Sequence, residues 1–279
     1  MPSPSANPPT VRIRKSARNV TQLLKQEKID PIFVPLQPEG DEWSSAALGP
    51  TKLIYARKMA RVFLETNHPG ALISLHSGKH YPDEPIPRWQ LTVQWRKDKS
   101  LWNSLDRLLL EPVPRPKPPV STARKMMKAI GKELKPTRFI RPLLEENAKT
   151  PAAWVLPLNH GTGRTSTTWG TAGTSIKLIP GDSSTGLRMP LNEVVCEEMR
   201  TALTVSACDD GELEIFLPPM HVEQYDLLLG IIEKIACTID ANNLILSGYR
   251  PDGCNHEESL SMVSAPGVLE VNLPPVRSW

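Results

Sequence analysis

Long hydrophobic runs are missing from this chain. Its apolar stretches, such as Leu108-Leu109-Leu110 and Leu227 to Ile232, fall far short of the roughly 20 apolar residues needed to cross a bilayer, so no membrane partner is expected. The Pro/Ser/Asn-rich start, Met1 to Thr10, has no apolar core of the kind a secretory signal requires. Cysteine is scarce. Cys196, Cys208, Cys237 and Cys254 stand far apart without a C-x-x-C pair, which argues against a disulfide framework and against a zinc site. Reduced thiols fit a cytoplasmic protein. The six histidines show no paired spacing with the cysteines, so no Ser-His-Asp or Cys-His case arises from the sequence. A formal charge of +3 is too small to imply nucleic-acid or membrane binding by itself.

Proline, by contrast, is abundant, with 29 residues against 16 glycines. Each proline removes a backbone donor and fixes φ, so short elements joined by stiff loops are expected. Residues 1–18 read as a disordered basic tail and 19–111 as an α/β portion. Residues 112–150 read as a Pro-rich spacer with a basic helix, and 151–279 as a second α+β portion.

The clearest helical period lies in Ser44 to Glu65. Leu53, Ala56, Ala60 and Leu64 recur on one side, with Lys52, Arg57, Lys58 and Arg61 off it. Strands are expected at Ala71 to Leu75 and at Trp89 to Trp95, the latter half-buried through alternating Trp89, Leu91, Val93 and Trp95. Further strands are expected at Trp154 to Leu158, Ser175 to Ile179, Ile245 to Tyr249 and Val268 to Leu273. A hairpin of Glu198 to Ala207 with Leu213 to Leu217 turns at Asp209-Asp210-Gly211. A helix over Glu223 to Asp240 would turn Leu227, Leu228, Ile231, Ile235 and Ile239 inward. The class is α+β, a mostly antiparallel sheet with packed helices.

From Arg115 to Arg141 there are nine Lys/Arg and one acid, Glu133. The helix inside this run, Ser121 to Leu134, would bury Ala123, Met126, Met127, Ile130 and Leu134. Its basic face, with Arg124, Lys125, Lys128 and Lys132, reads as solvated, the alternative being a nucleic-acid or acidic-partner patch.

Three polar stretches can carry chemistry. In Gly78 to Trp89, Lys79 and Arg88 suit a phosphate or a carboxylate, and the alternative is a rim of surface charges on a proline-braced loop. In Ile179 to Arg188, Gly181, Asp182 and Ser183 suit an anion-binding nest with Arg188 as charge partner, although no Gly-Lys-Ser/Thr follows as a Walker loop requires. In Gly267 to Asn272, alternation puts Glu270 and Asn272 on one face, where a carboxylate and an amide oxygen can share a hard cation such as Mg²⁺ or simply face solvent.

Several stretches, taken in order, resemble a bacterial amidoligase family known as a domain of unknown function in transglutaminase-like proteins. They are Gly40 to Lys52 (GDEWSSAALGPTK), the Gly78 to Trp89 loop, Trp95-Arg96-Lys97-Asp98 with Leu101-Trp102, Ile179 to Leu191, Arg200-Thr201-Ala202-Leu203, Phe216-Leu217-Pro218-Pro219 and Gly267 to Asn272. The resemblance implies the glutamine-synthetase-like fold of carboxylate–amine ligases and ATP-dependent amide formation through an acyl phosphate, with Mg²⁺ bridging phosphate oxygens. It also implies Glu270 and Asn272 as metal ligands, and Lys79, Arg88, Arg188 and Arg200 as phosphate or carboxylate clamps.

The chain departs from the family in places. Ile29-Asp30-Pro31-Ile32-Phe33-Val34 stands where members carry Gly-Glu-Pro-Thr-Phe-Val, Gln37-Pro38 replaces an acidic pair, and the stretch near Asn147 to Trp154 is short. Members continue past the position of Trp279 through a Gly-rich, His-containing stretch. The resemblance therefore implies a fragment inactive alone, completed by a downstream chain or a transglutaminase-like partner. The alternative is a non-catalytic binding or assembly module on the same fold.

Overall fold

A computed structural model describes residues 40–84, 86–108, 120–134, 140–145, 151, 153–158, 176–180, 187–188, 202–208, 211–251 and 257–274, with scattered helical positions in 19–27. The chain divides into two units, residues 1–40 with 274–279, and residues 41–273. In the first, the described positions between 19 and 27 are helical. The expected tail, the Pro112 to Pro119 spacer, the run Ile29 to Leu36, the Gly181 to Gly186 turn and Arg200 lie outside the described residues. Everything that follows concerns the second unit.

Its described helices are α1 (Lys52–Asn67), α2 (Val120–Leu134) and α3 (Val222–Ile239), with a 3₁₀ turn at Asp41–Trp43. Its strands are β1 (Leu72–Ser77), β2 (Trp89–Arg96), β3 (Arg141–Glu145), β4 (Ala153–Pro157), β5 (Ile176–Pro180) and β6 (Leu187–Arg188). After them come β7 (Ala202–Ala207), β8 (Leu213–Leu217), β9 (Leu244–Gly248), β10 (Glu257–Ala265) and β11 (Val268–Asn272). They form one sheet in the order β11-β10-β2-β1-β9-β8-β7-β4-β3-β5-β6. All neighbours are antiparallel except β1–β9, β8–β9 and β3–β5. The α+β class and the mostly antiparallel sheet are as the sequence predicts.

Helix α1 begins at Lys52, not Ser44, because Gly49 and Pro50 interrupt any earlier turn. It covers the side of β2 that carries Leu91, Val93 and Trp95. The Phe63 ring lies 5.4 Å from that of Trp95, and His68, just past the helix, stacks on Trp95 at 4.3 Å. Helix α3 lies over the opposite side of β2, where the Tyr225 hydroxyl donates to Gln94 Oε1 at 3.4 Å and Arg96 pairs with Asp226 at 2.9 Å. Helix α2 packs against α3, β4 and β7 through Ala123, Met126, Met127 and Ile130, as its period predicts. Its Arg124, Lys125, Lys128 and Lys132 are exposed.

Three expectations need correction. Lys52 and Arg57, placed on the solvent side by helical period, are 0% and 5% exposed, because acceptors off the helix meet them: three backbone carbonyls for Lys52, and Glu212 at 2.9 Å for Arg57. Leu227 is 60% exposed, and α3 turns Tyr225, Leu228, Leu229, Ile232, Ile235 and Ala236 inward. Strand β2 is buried on both sides at its centre, Thr92 and Gln94 included, because helices cover both faces.

Candidate functional site

The site begins with the register of four neighbouring strands. Glu270 of β11 is opposite Val263 of β10, which is opposite Gln90 of β2, which is opposite His76 of β1. One step along, Asn272, Ser261, Thr92 and Ser74 form a second row. Residues directly opposite, and residues two apart on one strand, share a face. This face is therefore polar across four strands, and it is the face on which α3 reaches Gln94.

Hydrogen bonds knit the β1–β2 part of the face. His76 Nδ1 meets the Gly248 carbonyl at 2.6 Å; a carbonyl only accepts, so Nδ1 carries the proton. Nε2 then accepts from the Ser74 hydroxyl at 2.7 Å. Ser74 Oγ in turn accepts from Gln94 Nε2 at 3.3 Å, and Gln90 Nε2 donates to Thr92 Oγ1 at 3.5 Å. Burial lowers the imidazole pKa below its ordinary value, the Gly248 carbonyl opposes this and the nearby Arg250 charge adds to it. Burial also pushes the Tyr225 phenol well up, so Tyr225 remains a hydroxyl.

Asp41 to Lys52, within the first stretch of the resemblance, holds the β10–β11 hairpin. Glu42 is 2% exposed, and its carboxylate accepts from Thr51 N at 2.8 Å, Thr51 Oγ1 at 2.5 Å and Lys52 N at 3.0 Å, capping α1 from outside the helix. Burial raises this carboxyl, but the bonds from Thr51 and Lys52 with the Lys52 charge outweigh it and hold the pKa below the ordinary value. The capping needs Gly49, where a Cβ would lie 2.6 Å from the Glu42 side chain.

Lys52 Nζ donates to the carbonyls of Ala46 at 3.4 Å, Ala47 at 3.3 Å and Ala265 at 2.5 Å. Ala265 is the last residue of β10, and Ser264 Oγ also donates to Ala47 O. The Pro266-Gly267 turn follows, with Gly267 at φ +73 and packed against the Ser44 carbonyl. The loop thus fixes the turn from which β11 presents Glu270 and Asn272.

Arg88 is the residue before β2, two positions ahead of Gln90, in whose row Glu270 lies across β10. Its Nε lies 2.9 and 3.1 Å from the two Glu84 carboxylate oxygens, and its Nη2 lies 2.8 Å from Oε1. The guanidinium sits 4.0 Å over the Tyr81 ring. The Glu84 hydrogen bonds raise its pKa first; burial opposes, and the charges of Glu84, Tyr81 and Glu270 raise it further. Arg88 also depresses Lys52, after burial as the larger cause. Arg88, Glu270 and Lys52 therefore share one electrostatic neighbourhood.

Of the candidate residues named from the sequence, the fold brings Arg88 and Glu270 into that neighbourhood. It puts Glu270 and Asn272, both exposed, on one face of β11, and leaves Lys79 exposed in the β1–β2 loop. Arg188 is on β6, at the other end of the strand order from β11. Gly181, Asp182, Ser183 and Arg200 lie outside the described residues. His76, Ser74, Glu84 and Tyr81 escaped the sequence reading. The Gln90-Thr92-Gln94 alternation was visible, but it reads as a water-facing side unless α3 is known to cover it. Among the described residues no group of three or more His, Cys, Asp and Glu side chains could hold a metal ion.

A family model described as "Putative amidoligase enzyme (DUF2126)" matches residues 12–148 and 193–279. Neither a curated protein nor a solved structure matches the chain.

Proposed function

The chain belongs to this amidoligase family, and from that premise we propose that it is an ATP- and Mg²⁺-dependent carboxylate–amine ligase working at the exposed β11 edge of the polar face. The observation that carries the reading is the register that puts Glu270 in the row of Gln90, two residues after Arg88, a carboxylate for a metal in line with a cation for oxyanions.

The residues present suit Mg²⁺. Glu270 and Asn272 offer hard oxygen donors from one side of β11, about 7 Å apart along the strand. Mg²⁺ is commonly held by one or two protein oxygens, with phosphates and water filling its other positions, so two donors suffice. MgATP, when bound, would supply the phosphoryl group that activates the substrate carboxylate. The chain's own part is to bind and orient. Arg88 offers a planar fork matched to carboxylate or phosphate oxygens, and Lys79 a flexible positive charge at the mouth of the same loop. The Ser74–His76–Gln94 network holds the floor of the face rigid beneath them.

The engagement of Arg88 by Glu84 favours a second reading, a binding module that kept the face without the turnover. The two part on one assay, ADP release by the purified chain given MgATP with mixed carboxylates and amines. The ligase reading expects release that depends on both co-substrates and falls at least tenfold in Glu270→Ala. Release indifferent to either co-substrate, or unchanged in Glu270→Ala, would sink it.

A further inference from the structure

We propose that Arg88 heads an oxyanion site for a ligand carboxylate or phosphate, and that Glu84 occupies it as an internal stand-in which the ligand displaces. The inference rests on the reading of Arg88 as a clamp and adds what fills the clamp between ligands.

The contact has the form of ligand recognition. Nε meets both Glu84 oxygens and Nη2 meets one of them, all between 2.8 and 3.1 Å. Two oxygens of a ligand carboxylate, or two of a phosphate, can take the same places on the same guanidinium edge.

The two partners are held differently. Arg88 is tied to the base of the loop, where Gly78 N donates to its carbonyl at 2.6 Å and its own N–H donates to the Lys79 carbonyl at 3.0 Å. A Cβ at Gly78 would come within 2.9 Å of that carbonyl, so glycine there permits the close pairing. The face of the guanidinium rests on Tyr81 at 4.0 Å, a contact that does not require Glu84. Glu84 has two backbone ties as well, its N–H to the Tyr81 carbonyl at 3.1 Å and its carbonyl to His80 Nε2 at 2.9 Å, but among the described residues its carboxylate is held by Arg88 alone. The carboxylate can therefore leave by side-chain rotation while the guanidinium stays in position.

A built-in competitor reduces apparent affinity by the fraction of time the site is open. A partly exposed pair that is closed about three- to fivefold over open weakens ligand binding by about the same factor. It also keeps the positive charge of Arg88 neutralised in the free protein.

The test is isothermal titration of the full chain with inorganic phosphate and, separately, with acetate. Wild type is compared with Glu84→Gln, Asp83→Asn and Arg88→Gln, each first shown to melt cooperatively. Glu84→Gln should bind about three- to fivefold more tightly, and whichever anion gains identifies the ligand oxyanion. Asp83→Asn, which removes an equal charge from an exposed neighbour, should stay within about twofold of wild type. Arg88→Gln should lose binding. If Glu84→Gln does not fold, Glu84→Asp, with a shorter reach, should show an intermediate gain.

Arg88-dependent binding that is unchanged in Glu84→Gln would overturn the stand-in and leave the clamp. An equal gain in Asp83→Asn would reduce the effect to general electrostatics and overturn it as well. Binding to none of the proteins would remove both the stand-in and the clamp.

Discussion

His76 is held in one tautomer by two bonds, its Nδ1–H to the Gly248 carbonyl and its Nε2 to the Ser74 hydroxyl. A second proton would turn Nε2 into a donor and force Ser74 to reverse its bond while a charge is buried. The folded pKa is accordingly below that of the unfolded chain, chiefly through burial. The sign follows from linkage. Above the unfolded value, near pH 6.5, this contribution to stability is fully present; as the pH falls towards the lower folded value the unfolded chain binds the extra proton and the contribution is lost. A single proton limits the slope to about 1.4 kcal/mol per pH unit. Urea unfolding at pH 7.5, 6.5 and 5.5 should show stability declining with acid in wild type. The decline should be shallower in His76→Gln, whose amide can still donate to Gly248. Equal slopes in the two proteins would contradict the assignment. Lys52 makes a related point: a side chain that helical period puts in water is satisfied inside by the Ala46 and Ala47 carbonyls of the preceding loop and by that of distant Ala265.

The β10–β11 hairpin is the element on which the metal candidates depend, and Gly267 is its weak point. Proline at the first turn position and a positive φ of +73 at the second suit a type II turn. A Cβ at Gly267 would also sit 2.9 Å from the Ser44 carbonyl. Gly267→Ala should cost about 1–3 kcal/mol from backbone strain and the tight contact, measured by urea unfolding. A loss below about 0.5 kcal/mol, within the range of ordinary surface changes, would show that the turn tolerates a side chain.

Elements with a regular apolar period were legible. Ala123, Met126, Met127 and Ile130 mark the buried side of α2, and Leu91, Val93 and Trp95 one side of β2. Strand β10 was not. Its alternation is confined to Ser259-Leu260-Ser261-Met262 and breaks at Val263-Ser264, where the valine is on the polar face and Ser264 is buried by its bond to Ala47. Glu270 and Asn272 could be placed on one face from period 2 alone. Their closeness to Arg88, some 180 residues earlier, follows from β10 pairing with both β2 and β11, which no local pattern shows.

At the scale of the sheet, strands from the two ends of the unit lie side by side, with β11 and β10 joined to β2 and β1, and β1 joined to β9. The candidate face therefore exists only when residues near 75, 90, 262 and 270 have been brought together, so site formation and folding are one event. No helix among the described residues is long and apolar enough to cross a membrane. The exposed Arg124, Lys125, Lys128 and Lys132 belong to α2, away from the β11 end of the sheet order, so the nucleotide reading of the polar face does not draw on them. On this reading Glu270, held out by the hairpin in the row of Gln90, gives the face a metal–nucleotide site. Thermal melting with and without MgATP tests it most directly, since a ligand bound only by the native state raises stability by about 2.7 kcal/mol at a hundredfold excess over Kd. Wild type should show a clear upward shift, abolished in Glu270→Ala and reduced in Asn272→Ala. A cooperative melt that MgATP does not move, or a shift of equal size in Glu270→Ala, would contradict it.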